Sequence, residues 1–359
     1  MNHLLRIFTG LLGLLTVWGC IREISFEAPE ADSDALVVSG SFTNLSGPHV
    51  LRLLHPGDFE TRDFSAVVGA QVHLVDETEG RSYPFAERFV PAHRYQLDSV
   101  SGIPGHIYHL EIRLNTGQAY RSSSDRMPEP IPADSLLFDD RWVQHPNAEG
   151  RLVQTPEAFL RIYSHLPAQI PADVCLRWDS DLTFLFQELQ LPGPFAPAAR
   201  QCFINSTNSS QQLLEILDPG DYQGGAAISA EIGRVRINHI FESRVAFVGR
   251  QRVISREAYE YWTKVKSVVE PQGTIFDPPP ARIAGNVWQT QNPGQRALGL
   301  FEIAAVDTLI RFANKGSLSL DIRSYVAPYC NTTQSTIKSE CFNCLTFPNS
   351  TLLKPEWWR

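Results

Sequence analysis

A long basic run is missing from this sequence, and 31 Lys and Arg against 39 Asp and Glu leave a formal net charge of -8. A nucleic-acid partner therefore has little electrostatic support. Also missing is any apolar run long enough to span a bilayer as a helix of the mature chain. Methionine is scarce, with two residues of which one is the initiator. No nucleophile elbow, phosphate-cradling glycine loop or zinc-protease helix motif occurs, so nothing points to an enzyme or to a cofactor. Folding is not what these absences exclude. Hydrophobic residues make up 43% and charged residues 19%, with 23 Gly and 25 Pro, a globular composition leaning toward strands and turns. A length of 359 residues suggests about two domains.

Residues 1–19 read as a secretory signal. Arg6 and the amino terminus supply positive charge, and the apolar stretch Ile7–Trp18 has the length of a signal core rather than of a span. Cys20 directly after Gly19 turns the expectation from plain secretion to lipoprotein processing, with cleavage before Cys20 and lipid attached to its sulfur. Val17 fits three positions before the cut, whereas Trp18 is bulky where a small residue is usual; the alternative is an ordinary signal peptide with an incidental cysteine. Several acyl chains at about 0.8 kcal/mol per buried methylene would anchor the chain firmly. Residues 20–35 follow as an acidic tether with Glu23, Glu27, Glu30, Asp32 and Asp34.

The rest reads as mainly β. Over 36–125, short period-two runs such as Leu36–Phe42, His49–Leu53, Gln71–Val75 and His106–Ile112 alternate with turn residues, suggesting an immunoglobulin-like sandwich. Asn115-Thr116-Gly117 is the expected hairpin turn before Ala119–Arg121. Pro128, Pro130 and Pro132 stiffen a linker at 126–134. A larger β-rich domain is expected over 135–359, with strands at Val174–Trp178, Arg234–Ile237 and Arg244–Val248 and two neighbouring strands within Leu298–Phe312. One helix is expected there, capped by Ser255, with Glu257 in its first turn and Pro271 and Gly273 ending it. Its stripe of Ala258, Tyr261, Trp262, Val265 and Val269 suits core packing better than a cofactor seat.

Beyond Cys20, five cysteines remain: Cys175, Cys202, Cys330, Cys341 and Cys344. Export permits disulfides, and the odd count leaves one thiol over. Cys175 with Cys202 is a reasonable pair, and Cys330 could join Cys341 or Cys344. The Cys341–Cys344 spacing also admits half a zinc site or a redox dithiol, but it lies in an Asn- and Pro-rich tail, so a structural disulfide is the better reading and no metal is expected. His106 and His109 would face opposite sides of one strand and cannot chelate jointly. Asp139-Asp140 reads as a solvated pair. Phe184, Phe186, Phe195, Trp288, Trp357 and Trp358 could contact a ligand or partner, although core or interface packing is the commoner fate of aromatics.

The order and spacing of several segments resemble the Bacteroidota lipoprotein family called domain of unknown function (DUF) 4249. They are Leu36-Val37-Val38-Ser39-Gly40, Gly47-Pro48-His49, Gly69-Ala70-Gln71-Val72, Gly105-His106-Ile107-Tyr108, Met127-Pro128 and Asp134-Ser135-Leu136. Further along come Ser255–Trp262, Phe276-Asp277-Pro278-Pro279-Pro280, Gly285-Asn286-Val287, the pair Cys341 and Cys344, and Lys354-Pro355-Glu356-Trp357-Trp358. The resemblance implies an outer-membrane lipoprotein, often encoded beside TonB-dependent receptors, with no assigned activity. The expectation is a non-enzymatic accessory or ligand-binding partner of such a β-barrel in uptake, lipid-anchored in the outer membrane, with exposure at the cell surface as a further expectation. A structural surface adaptor without a small ligand is the alternative.

Overall fold

Alternation of buried and exposed side chains explains most of the strands, and double-sided burial explains the longest one. The computed structural model describes residues 35–56, 64–90, 92–206, 210–270, 283–330 and 337–358. The signal, Cys20, nearly all of the tether, and Pro271 and Gly273 lie outside the described residues. Ahead of the prolines run β1 (Val37–Thr43), β2 (His49–Pro56), β3 (Phe64–Ala66), β4 (Gln71–Asp76) and β5 (Arg81–Pro84). They are followed by β6 (Ala86–Arg88), β7 (Arg94–Leu97), β8 (Ile107–Arg113), β9 (Ala119–Ser122) and β10 (Asp125–Arg126). After the prolines come β11 (Ala133–Pro146), β12 (Leu152–His165), β13 (Val174–Gln187), β14 (Gln201–Asn205), β15 (Ser210–Gln212), β16 (Glu215–Leu217) and β17 (Ala227–Arg236). β18 (Val245–Ser255), the helix α1 (Arg256–Val269), β19 (Ala284–Gln289), β20 (Arg296–Ala313) and β21 (Ser350–Thr351) complete the set.

β5 and β6 are separated only by Phe85, yet β5 pairs with β4 and β6 with β7. Pairing then continues through β2, β1, β20, β19, β9 and β8 and returns to β4, so the circuit closes like a barrel. Closure removes exposed strand edges. Val38, Leu53, Leu74, Tyr95, Leu110 and Phe301 are buried in its core. The expected hairpin at Asn115–Gly117 joins β8 to β9, with Gly117 at φ 90°, a left-handed position that glycine occupies without strain. Residues 36–125 do not close this circuit alone. β19 and β20 complete it, and β1 lies parallel to β20 from Val37↔Leu298 to Thr43↔Ala304. The linker at 126–134 thus does not separate two hydrogen-bonded units, because the sheet crosses between them through β20.

The second half stacks a four-stranded sheet, ordered β11-β12-β17-β15, on β13, β18 and the C-terminal part of β20. Leu136, Ile162, Ile232, Trp178 and Phe247 fill the space between. Where two strands were expected within Leu298–Phe312, one strand of 18 residues runs through. Gly299 sits at φ 83° inside the strand, where a Cβ would lie 2.1 Å from the Val38 carbonyl oxygen. Residues 300–306 of β20 are buried without alternation because both faces are covered. Phe301, Ile303 and Ala305 face the main core, while Leu300, Ala304 and Val306 pack with Ala258, Tyr261 and Trp262 of α1. α1 begins where expected, the Ser255 hydroxyl accepting from the Ala258 amide at 3.4 Å. Its stripe is core packing in Ala258, Tyr261 and Trp262, while Val269 at the end is 66% exposed.

Candidate ligand-binding cleft

The two halves meet at a waist, and a cleft of about 500 Å³ opens there. Pro128, Pro130 and Pro132 come from the linker, and Pro167 and Pro171 from the connection between β12 and β13. Ile131, Met127 and Val174 add apolar surface. Proline rings offer no N–H, so such walls are apolar and stiff at once. The size falls within the range of small-molecule sites.

Hydrogen bonds hold both walls, buried ones on the side of Gln251. Gln251, wholly buried on β18, donates from Nε2 to the Ile131 carbonyl at 2.8 Å. Its Oε1 accepts from Trp178 Nε1 at 2.9 Å and from the Ser164 hydroxyl at 2.5 Å. Asp307 on β20 accepts from the Ala133 amide at 2.8 Å. On the other wall, Arg256 donates from its amide to the Asp173 carbonyl at 3.0 Å and from Nη2 to the Ala172 carbonyl at 3.2 Å, and pairs with Asp218.

The chemical feature of the cleft is Asp125 on β10. Burial pushes its carboxyl up to about 6, against a hydrogen bond from Ser255 that favours the charged form, while Glu257 and Glu302 add repulsion. Among the described residues no Lys or Arg forms an ion pair with it. Arg126, its neighbour, donates instead to the Gly105 carbonyl at 2.5 Å. His165, also lining the cleft, is 2.7 Å from Asp134.

Close by, an ionic lattice sits between β13, β18, β20 and α1. Asp179 lies 2.5 Å from Arg252 and 3.0 Å from Arg250, and Glu302 lies 2.9 Å from Arg177. Trp262 donates to Glu302 at 2.7 Å and is stacked by the Arg177 guanidinium at 4.6 Å. Burial alone would raise Glu302 and Asp179, but the arginines outweigh it and hold both below the usual carboxylate range.

The two kinds of carboxylate respond to pH with opposite signs. Glu302 and Asp179 release protons more readily when folded, so their stabilisation is present at neutral pH and lost as acid protonates them. Asp125 binds its proton more tightly when folded, so its ionisation destabilises the fold as pH rises from about 4 to 6. Asp125→Asn is therefore expected to raise stability by about 1–2 kcal/mol at pH 7.5, after allowance for partial exposure, and by nothing near pH 4. Urea denaturation at the two pH values checks this, and an equal effect at both would contradict it.

The cysteines pair differently from expectation in one respect. Cys202 is bonded to Cys344 and Cys330 to Cys341, while Cys175 is free. The Cys175–Cys202 pairing fails because Cys175 is enclosed between Ile254 and Ala258 under α1. Burial pushes its thiol up to about 12, which suits packing rather than reactivity. Cys341 and Cys344 serve two separate bridges. Mass mapping of non-reduced peptides should recover these two links and an unmodified Cys175; a Cys175–Cys202 peptide would contradict the arrangement.

The candidate aromatics divide. Phe184, Phe186 and Trp358 are buried, Trp288 and Trp357 are half-buried, and Phe195 is 96% exposed in the loop before β14. None lines the cleft. His106 and His109 are satisfied separately, by Asp76 at 2.9 Å and by Glu77 at 2.7 Å. Asp140 accepts from the Ser319 amide at 2.9 Å and so pins the tail. Asp125 left no mark in the sequence, since its surroundings come from Ser255 and Glu257 more than a hundred residues away. The cleft did leave one: a second proline pair, Pro167 and Pro171, between two long strand patterns.

These features define a mainly β protein with a large sheet, a smaller second sheet and an apolar, small-molecule-sized cleft at their junction. The chain belongs to the family described as domain of unknown function (DUF4249), whose model matches residues 21–310. The match ends inside β20, so the disulfide-bearing tail lies beyond it. No curated protein matches the sequence.

Proposed function

We propose that this chain is an exported lipoprotein of the Bacteroidota outer membrane, lipidated on Cys20. In this reading it is a non-enzymatic binding or accessory partner of a TonB-dependent β-barrel in uptake. The observation that carries the binding role is the proline-walled cleft at the waist, apolar and braced on both sides. Two disulfides support folding in an oxidising compartment, as does the signal-like stretch ending at Gly19. The alternative, a surface adaptor without a small ligand, draws on the exposed side chains of Phe195 (96%) and Leu353 (79%).

A tagged copy that keeps Cys20, beside a Cys20→Ala control, tests the partnership by pull-down from detergent-solubilised outer membranes. The expected result is a stoichiometric TonB-dependent barrel with the lipidated form. Recovery of the protein alone, where known barrel complexes survive, would sink the partnership.

A further inference from the structure

Resting on the reading of the waist cleft as the binding site, we propose that its ligand is a small amphiphilic cation, an apolar body carrying an ammonium or guanidinium group that is held by Asp125. The apolar part follows from the walls, where five proline rings with Ile131 and Val174 make the lining mostly apolar. The charge follows from what stands around Asp125. Besides Asp125, the cleft is lined by Glu129 and Asp173, and Glu257 and Glu302 add repulsion at Asp125. The two basic side chains at the cleft are turned to partners other than Asp125, Arg126 to the Gly105 carbonyl on the cleft rim and His165 to Asp134. Glu257 and Glu302 have partners of their own: Glu302 has Arg177 and Trp262, and Glu257 accepts from the Ser123 hydroxyl at 2.7 Å.

Asp125 is thus a carboxyl in an apolar-walled cleft with like charges around it and, among the described residues, no cation of its own. A buried charge without a partner is costly, and a ligand that brings the partner gains from relieving that cost. An anionic ligand would meet three carboxylates against two bases, Arg126 and His165, that already hold hydrogen-bond partners. A neutral one would leave Asp125 as it stands. The cation is the charge type that completes the site.

Calorimetric titration of the full mature chain with n-octylammonium, n-octanol and octanoate tests this. Octylammonium is expected to bind saturably and about tenfold more tightly than octanol, the gain of one charge-assisted hydrogen bond, with octanoate weakest. Asp125→Asn should bring octylammonium down to the affinity of octanol while leaving octanol binding unchanged. Gln169→Trp, a substitution at an exposed position on the cleft lining, should weaken all three together and leave the far-ultraviolet spectrum intact. If octanoate binds as well as octylammonium, or Asp125→Asn keeps the cation preference, the ligand class is wrong although the cleft still binds. If no probe binds, or Gln169→Trp changes nothing, the cleft itself is not the site.

Discussion

Gln251→Met is expected to lower unfolding free energy by about 3–5 kcal/mol, although it keeps the length of the side chain. The wild-type amide sits at no exposure between β18, β13 and the linker and satisfies three groups: the Trp178 indole N–H, the Ser164 hydroxyl and the Ile131 carbonyl. A thioether offers none of these bonds and leaves the three buried, each unsatisfied group costing roughly 1–3 kcal/mol. The linker should also loosen, since Ile131 loses its anchor while Ala133 keeps Asp307. Faster amide exchange at residues 131–133 would report that loosening. A loss below about 1 kcal/mol would show that Gln251 is not the brace described here.

The second large effect lies in the tail. Cys202→Ala with Cys344→Ala opens a bridge spanning 142 residues, and chain-entropy scaling puts its contribution near 5 kcal/mol. The Cys330–Cys341 bridge spans 11 residues, for which the same scaling gives about 3 kcal/mol. The first pair should therefore be the more damaging, by about 2 kcal/mol in urea denaturation. The segment it ties down is docked by other contacts as well: Glu188 accepts from the Cys344 amide at 2.8 Å and pairs with Arg200 at 2.7 Å. Trp358 packs edge-on against Phe203 and Phe312, with ring centroids 5.1 and 5.3 Å apart. Equal effects from the two double variants would mean that the long-range link does not constrain the unfolded chain as argued.

Local pattern made much of the fold legible. The alternation at Gln71–Asp76, the Asn115–Gly117 turn and the capped amphipathic helix after Ser255 each depend on residues close in sequence, and each is present. What sequence could not show was pairing at long range. β1 finds β20 some 260 residues later, and β9 finds β19, so the proline linker that looks like a boundary is bridged by the sheet. Alternation also fails as a guide where both faces of a strand are covered, which is why β20 with Gly299 inside it resembles two strands. Cysteine spacing failed for a similar reason: Cys175 and Cys202 are close in the chain, but Cys344 returns beside Cys202 on the docked tail. The cleft was visible only as two proline groups, and the environment of Asp125 was not visible at all.

The most direct test of the waist as a binding site uses methyl resonances. Met127 is the only methionine after residue 1, so a methyl-labelled chain starting at residue 20 gives one methionine signal, from a residue of the cleft. Ile131 and Val174 supply two more reporters there. On titration with octylammonium, the signals of these three residues should move first and together, saturating at one equivalent. Shifts that spare them and gather elsewhere, for example around the exposed Leu352 and Leu353 of the tail, would contradict the account.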